Sequence, residues 1–153
     1  MKFMLVTTLF FASSMAIACP NFSGNYFLPD EHGKTTLTVK QTGCELMAYS
    51  AAYVPTNGDP KDPDNYEYIT DDLEHDEDLQ PIQGKGTYTS LFYGEKFIVT
   101  RKYVNEGSGY ILLRRITFIS DLAGNLIVVL SQFDSNGQSG KTQANFEKSP
   151  NSQ

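Results

Sequence analysis

Short apolar segments separated by turn-forming residues are the feature that most constrains how this chain folds. From Phe22 onward, segments rich in Val, Ile, Thr, Tyr and Phe alternate with clusters of Gly, Asn, Asp and Pro. This alternation is typical of antiparallel strands joined by short turns. Strands are predicted near residues 22–28, 35–42, 45–54, 66–70, 86–92, 96–104, 109–119, 125–133 and 141–148. The predicted fold class is therefore all-β, an up-and-down antiparallel meander that closes into an eight- or nine-stranded barrel.

The start of the chain has the pattern of a cleaved export signal. Lys2 supplies a positive charge, an apolar core follows, and a small-x-small cleavage pattern ends at Ala18, directly before Cys19. Residues 1–18 are therefore predicted to be removed as a signal peptide. The remaining residues 19–153 are enough for one domain with its own core and too few for two.

Export places the mature protein in the periplasm or outside the cell. An alternative use of the same junction is lipidation of Cys19, because bacterial lipoproteins are also cleaved immediately before a cysteine. The lipidation signal prefers a large aliphatic residue three positions before that cysteine, and Ala16 occupies the position here. The sequence therefore favours ordinary cleavage, with a lipid anchor as the alternative.

The charge of the mature chain limits its partners. It carries eleven basic and eighteen acidic residues, a net charge of −7, and no window forms a basic stripe. Nucleic acid is therefore not an expected partner, since its phosphates are bound by clustered Lys and Arg. No later apolar run is long enough for a membrane-spanning helix, so no transmembrane span is expected.

An acidic loop is predicted near residues 57–83, which hold ten of the eighteen acidic residues. Loops of this length are usually functional or disordered, so this one is interpreted as a lid or as a docking surface for a cationic protein partner. Carboxylates are the ligands that calcium prefers, and the candidates are Asp71, Asp72, Asp76 and Asp78. The EF-hand spacing and its glycine are missing, so a solvated acidic face without metal is the expectation.

The first hairpin has a register that its hydrophobic pattern predicts. A turn around residues 29–34 pairs residues whose numbers sum to 63, which places Tyr26 opposite Leu37. Side chains alternate between the faces of a strand, so these two residues share the apolar face.

The same register places Cys19 opposite Cys44, the only two cysteines of the chain. In an oxidising compartment they are predicted to form a disulfide. A turn at residues 42–43 instead would also leave them close together. Either arrangement closes a loop of 26 residues, which the chain-entropy relation values at roughly 3.5 kcal/mol.

A later hairpin is predicted to bring two arginines together. With a loop at residues 106–109, paired numbers sum to 215, and Arg101 then faces Arg114. The same face carries Phe97, Val99, Tyr103, Tyr110, Leu112, Ile116 and Phe118. Like charges opposite each other in a sheet are destabilising, so a buried pair requires a bound anion or a compensating carboxylate such as Glu45. A further alternative is that one arginine extends its head group to the rim.

The third predicted strand decides whether the interior is filled. One face carries Met47, Tyr49 and Tyr53, and the other carries Ala48, Ser50 and Ala52. Small side chains pointing inward would leave a cavity, whereas inward tyrosines would fill it, and a barrel of eight strands allows either outcome. Tyr49, Tyr53 and Tyr103 are therefore candidate ligand contacts beside the two arginines.

Sequence patterns of common enzymes are missing. The chain has no G-x-S-x-G, no H-E-x-x-H and no phosphate-binding glycine loop, and it has only two histidines. No catalytic residues, cofactor or metal are therefore expected, and the chain is predicted not to be an enzyme.

The run from Phe22 to Tyr26, followed by a meander of about eight strands, resembles the lipocalin-like group of small secreted β-barrels. Lipocalins carry a Gly-x-Trp opening, and here Tyr26 stands in place of the tryptophan. The resemblance implies a cup for a small apolar or amphipathic molecule. The predicted function is therefore non-catalytic binding of a small amphipathic anion. The alternative is a cell-envelope interaction protein, structural protein or inhibitor with a solid interior and an acidic docking loop.

Overall fold

The computed structural model describes residues 19–77 and 84–150, so the predicted signal peptide lies outside the described residues. Ten strands occur in these ranges: β1 (Gly24–Asp30), β2 (Gly33–Thr42), β3 (Leu46–Pro55), β4 (Asp64–Ile69), β5 (His75–Glu77), β6 (Lys85–Tyr93), β7 (Lys96–Val104), β8 (Ile111–Ser120), β9 (Leu126–Asp134) and β10 (Ser139–Lys148). They form one antiparallel sheet in the order β4-β3-β2-β1-β10-β9-β8-β7-β6-β5. The all-β antiparallel meander is confirmed. No helix suited by length and hydropathy to a membrane crossing occurs in the described part of the chain.

The predicted count of eight or nine strands is wrong because it omits β5. The bounds of the other nine strands lie within two residues of the predicted ones. β5 lies inside the predicted acidic loop, and its charged residues have low strand propensity. It pairs with residues 86–88 of β6, and the ring of His75 stacks on Tyr88 with 5.1 Å between centroids. Tertiary contacts therefore create this strand against its local propensity.

The two edges of the sheet, β4 and β5, share no backbone ladder. β1 and β10 are joined by ladder pairs such as Tyr26 with Lys148, so the first and last strands are neighbours. On the other side of the sheet, the edge strands β4 and β5 approach each other along a seam. At one end of this seam, β4 contacts β6 through side chains. Ser90 Oγ donates a hydrogen bond to the Ile69 carbonyl over 2.7 Å. The ten strands therefore form one open sheet whose edge strands β4 and β5 are not hydrogen-bonded to each other. The predicted closure into a barrel is wrong, because side-chain contacts and not a backbone ladder join these edges.

Both predicted hairpin registers are confirmed. Tyr26 lies opposite Leu37 in the first hairpin, and Arg101 lies opposite Arg114 in the later one. The two-residue turn between β6 and β7 begins at Gly94, whose φ of 57° lies in the left-handed region. Glycine adopts this conformation without the steric cost of a Cβ, which is why it suits a tight hairpin turn.

The predicted disulfide is confirmed. Cys19 and Cys44 are bonded, with 5.7 Å between their Cα atoms. A sulfur in a disulfide cannot also carry a thioether-linked lipid, so this bond is incompatible with the lipidated alternative at Cys19. The disulfide ties the segment before β1 to the β2–β3 connection.

The interior of the curved sheet is packed at the disulfide end. The buried apolar side chains are Phe22, Tyr26, Leu37, Val39, Met47, Tyr49, Tyr68, Tyr88, Phe97, Val99, Ile116, Phe118, Leu126 and Phe146. Toward the opposite end, inner-face positions are occupied by polar and exposed residues such as Arg114, Gln132 and Thr142. The inner face is therefore a solid core in one half and open to solvent in the other. This open half carries the candidate site.

Candidate functional site

Two arginines of the predicted pair have different environments. Arg101 is largely buried, and its side chain is 17% exposed. Arg114 is exposed, although it lies on the same inner face of the sheet as the buried Ile116 and Phe118. The predicted like-charge conflict is therefore resolved differently for each arginine.

Arg101 is neutralised by Glu77 of β5. Its Nε and Nη2 atoms each lie 2.9 Å from a different oxygen of the Glu77 carboxylate, which makes the pair bidentate. Burial alone would lower the pKa of Arg101. The hydrogen bond to Glu77 and the charges of nearby groups outweigh this effect, so the net pKa is raised. The guanidinium also lies over the ring of Tyr66, with 5.1 Å to the centroid, in cation–π geometry.

Glu77, rather than the predicted Glu45, supplies the compensating carboxylate. Glu45 lies in the β2–β3 connection at the disulfide end, whereas Arg101 lies in the far half of β7. The need for a carboxylate near Arg101 was predictable, because a buried charge requires a partner. Which acidic residue meets it depends on β5, which the sequence pattern did not reveal.

Arg114 has no ion pair with any residue that the structure describes. It borders a cavity of about 180 Å³ on the inner face of the open half. The cavity is lined by Glu77, Arg101, Lys102, Tyr103, Tyr110, Leu112 and Arg114. The Arg101–Glu77 pair contributes no net charge, and Lys102 lies opposite Leu113 with its side chain on the outer face. Among the described lining residues, Arg114 is therefore the one that gives the inner face of this cavity a positive charge. The predicted contacts Arg101, Arg114 and Tyr103 are therefore brought together.

Tyr110 is held in place at the cavity wall. Its hydroxyl donates a hydrogen bond to Asp134 Oδ2 over 3.1 Å. Desolvation, followed by the hydrogen bond to Asp134, raises the pKa of Tyr110, and Arg114 partly opposes this effect. Asp134 is fixed in turn by backbone N–H groups of Asn136 and Gln138, each 2.9 Å from its Oδ1. The cavity therefore has one wall that is ordered before any ligand arrives.

The remaining wall residues are Tyr103 and Leu112, which face each other across β7 and β8. The Tyr103 hydroxyl accepts a hydrogen bond from Asn105 Nδ2 over 3.4 Å. Tyr110 and Leu112 were assigned to the interior face by the sequence pattern but were not identified as site residues. Their alternation with Arg114 along β8 was the available signal.

The tyrosines of β3 point inward and do not reach this cavity. Tyr49 packs against the rings of Tyr66, Tyr68 and Phe118, with centroid distances of 4.9, 5.9 and 5.3 Å. Tyr53 lies further along β3, where its hydroxyl is 3.4 Å from Asp30 Oδ1. Neither of the predicted contacts Tyr49 and Tyr53 therefore lines the cavity at Arg114. Tyr49 lies behind it, against the Tyr66 ring that Arg101 covers.

The small side chains of β3 point outward instead. Ala48 and Ser50 form the floor of a groove of about 370 Å³ on the outer surface. Lys40 of β2 and Glu67 of β4 flank this groove, because both lie opposite Ala48 in the ladder. The predicted consequence of small side chains, an open space, is therefore found outside the sheet.

Two of the four calcium candidates, Asp71 and Asp76, have side-chain partners in the protein. His75 Nε2 lies 2.8 Å from Asp71 Oδ1, and this contact, followed by the backbone N–H of Leu73, lowers the pKa of Asp71. Asp76 pairs with Lys85 at 3.6 Å. Across residues 19–77 and 84–150, no three carboxylate, histidine or cysteine side chains converge on a position for a metal ion. The fourth calcium candidate, Asp78, lies outside the described residues.

The raised pKa of Tyr49 makes the stability of the fold depend on alkaline pH. Desolvation by burial raises the pKa of Tyr49 to about 12, whereas the pKa of tyrosine in an unfolded chain is about 10. Between these values the unfolded state has released a proton that the folded state retains. The free energy of unfolding therefore falls as pH rises from about 10 to about 12, by roughly 2–3 kcal/mol for Tyr49.

Denaturant unfolding at a series of alkaline pH values checks this expectation, with Tyr49→Phe as the comparison. The substituted protein should lose part of the pH dependence. The pH dependence that remains in this variant should come from Tyr68, because burial also raises the pKa of Tyr68. Equal pH dependence in both proteins would contradict the assignment to Tyr49.

No family model matches this chain, and no curated protein sequence matches it. Among solved structures, it is similar to secretory abundant heat soluble protein 4 from Ramazzottius varieornatus, with 12% sequence identity. The alignment covers 84% of this chain and 94% of that chain, with a TM-score of 0.47.

Proposed function

We propose that this chain is an exported, non-catalytic binding protein for a small amphipathic anion, held at Arg114. The observation that carries the proposal is the charge imbalance at the cavity. Glu77 neutralises Arg101, whereas Arg114 has no carboxylate partner among the described residues. A guanidinium beside Tyr110 and Leu112 offers charge-assisted hydrogen bonds next to an apolar wall. A ligand with one negative group and a nonpolar body matches both parts.

Export and the cup shape are part of the same proposal. Disulfides persist in oxidising compartments, so the Cys19–Cys44 bond supports a periplasmic or extracellular location after removal of residues 1–18. In this proposal the curved sheet acts as a barrel-like cup. Its open half admits the ligand, and side-chain contacts between β4 and β6 take the place of a backbone ladder.

A second candidate function is docking of a cationic protein by a cell-envelope protein or inhibitor. It is supported by the exposed carboxylates of Asp59, Asp62 and Asp64 in and beside the β3–β4 connection. It is also supported by the aromatic core, which fills the interior of the sheet in the disulfide half. Long-range attraction between such an acidic surface and a basic partner weakens as salt increases.

Binding of monocarboxylates tests the leading function. Benzoate, octanoate and palmitate would each be titrated against the mature protein by calorimetry and ligand-detected NMR. We expect Arg114→Gln to weaken binding of the tightest member by about tenfold or more, because a hydrogen bond to a charged group contributes about 1.5–3 kcal/mol. Arg115→Gln is the matched control, since Arg115 is also exposed but lies on the outer face. It should bind like the parent protein.

Two outcomes would overturn the leading function. One is that none of the three carboxylates binds the mature protein with its disulfide intact. The other is that Arg114→Gln and Arg115→Gln reduce binding equally, which would indicate a general charge effect. Either result would leave docking of a cationic partner as the function that the acidic surface supports.

A further inference from the structure

The size of the cavity at Arg114 restricts what it can hold. Its volume is about 180 Å³, which is below the range of about 300–1,000 Å³ for sites that take drug-sized ligands. A cavity of about 150 Å³ in another protein holds a single benzene ring. The space here is therefore sufficient for one six-membered ring and a small charged group.

The floor of the cavity prevents a longer ligand from entering the core. Arg101 and Glu77 form this floor and are fixed to each other by two contacts of 2.9 Å. Below them, the ring of Tyr66 packs against Tyr49, and Phe97 packs against Phe118 at 5.8 Å between centroids. An alkyl chain would have to displace this buried ion pair to pass this level.

The walls and the charge define the rest of the ligand. Tyr103 and Tyr110 present aromatic rings whose hydroxyls are already hydrogen-bonded to Asn105 and Asp134. The rings therefore offer mainly apolar surface, which favours a flat aromatic body through offset or edge contacts. Arg114 is a planar fork of donors, which matches the two oxygens of a carboxylate.

We infer that the occupant of this site is a single-ring aromatic monocarboxylate, with its carboxylate on Arg114 and its ring between Tyr103, Tyr110 and Leu112. This inference rests on the proposed function and adds the ligand class to it. Long-chain fatty acids are excluded by the floor, and neutral aromatic compounds are disfavoured because they leave Arg114 without an anionic partner.

The test compares benzoate with three probes that each change one property. Benzamide keeps the shape but has no charge, palmitate keeps the carboxylate but has a long chain, and naphthoate adds a second ring. We expect benzoate to bind at least about tenfold more tightly than benzamide, since a charge-assisted hydrogen bond is lost. Palmitate and naphthoate should bind more weakly than benzoate.

A cavity-enlarging variant separates size from charge. Leu112→Ala removes apolar atoms from the wall without touching Arg114, and it should improve the affinity for naphthoate relative to benzoate. Leu113→Ala is the matched control, because Leu113 is the neighbouring residue on the outer face. It should leave the ranking of ligands unchanged. Circular dichroism would check that each variant keeps the sheet.

The possible failures are distinguishable. If palmitate binds most tightly and Arg114→Gln abolishes its binding, the anion-binding function stands and the single-ring inference is wrong. If Leu112→Ala and Leu113→Ala bind the probes in the same order of affinity, the cavity does not select ligands by size and the inference is also wrong. If no carboxylate binds, both the inference and the function beneath it fail.

Discussion

Replacing Arg101 with methionine is expected to lower the free energy of unfolding by about 3 kcal/mol, because it leaves the Glu77 carboxylate buried without a counter-charge. The Glu77 side chain is only 13% exposed, and the two Arg101 contacts of 2.9 Å are the ion pair that the structure gives it. Methionine keeps much of the apolar stem that packs near Tyr66, so the loss reports mainly on charge. Denaturant unfolding monitored by circular dichroism measures it.

The double variant Arg101→Met with Glu77→Leu separates the pair from its surroundings. Removing both charges also removes the desolvation cost, so the double variant should be more stable than Arg101→Met alone. Lys85→Gln is the control, because the Lys85–Asp76 pair is 62% and 86% exposed. Exposed pairs contribute about 0–1 kcal/mol. A single-variant loss as small as that of Lys85→Gln would mean that Glu77 is solvated rather than buried.

Removing the disulfide is expected to lower the free energy of unfolding by about 3.5 kcal/mol. The bond closes a loop of 26 residues, since Cys19 and Cys44 are separated by 25 positions, and the unfolded chain gains the conformational freedom that the bond withholds. The variant Cys19→Ser with Cys44→Ser would be compared with the parent protein by denaturant unfolding. The serines are close in size to the cysteines, so native packing near the bond changes little.

Reducing agent supplies the control for this prediction. It should destabilise the parent protein by a similar amount and leave the double serine variant unchanged. Two observations together would mean that the bond does not form. The stability of the parent protein would be insensitive to reductant, and the denatured parent protein would react with a thiol reagent in the absence of reductant. That result would also remove the disulfide as support for an exported location.

Local patterns in the sequence predicted the strand registers. Alternation of apolar residues and the placement of turn glycines determine which residues face each other in a tight hairpin. For that reason Tyr26 opposite Leu37, Arg101 opposite Arg114, and the Cys19–Cys44 bond could all be worked out before the structure was known. These are relations between residues joined by short connections.

The strand β5 and its contacts were not predictable in the same way. β5 has a charged sequence, and it becomes a strand because His75 stacks on Tyr88 and Glu77 meets Arg101. His75 and Tyr88 are partners in the β5–β6 ladder, and Glu77 reaches past β6 to Arg101 on β7. Both contacts depend on a strand that the sequence pattern does not reveal. The sequence could state that a buried arginine pair needs a carboxylate or a bound anion, but the residue that it offered, Glu45, lies at the disulfide end of the sheet.

Packing also decided which face of β3 points to the interior. Alternation placed Met47, Tyr49 and Tyr53 on one face and the small residues on the other, but it could not assign either face to the interior. In the folded sheet the rings of Tyr66, Tyr68 and Phe118 surround Tyr49, so the large face points inward. The cavity is consequently confined to the space beside Arg114, away from β3.

The sequence by itself determined the all-β class, the hairpin registers and the partner of each cysteine, because these follow from side-chain alternation and turn chemistry over short distances along the chain. Only the tertiary structure decided that Glu77 neutralises Arg101, that Arg114 has no ion-pair partner within residues 19–77 and 84–150, and that the cavity beside it measures about 180 Å³. Those properties depend on how the curved sheet brings distant strands together, and local alternation carries no information about that approach.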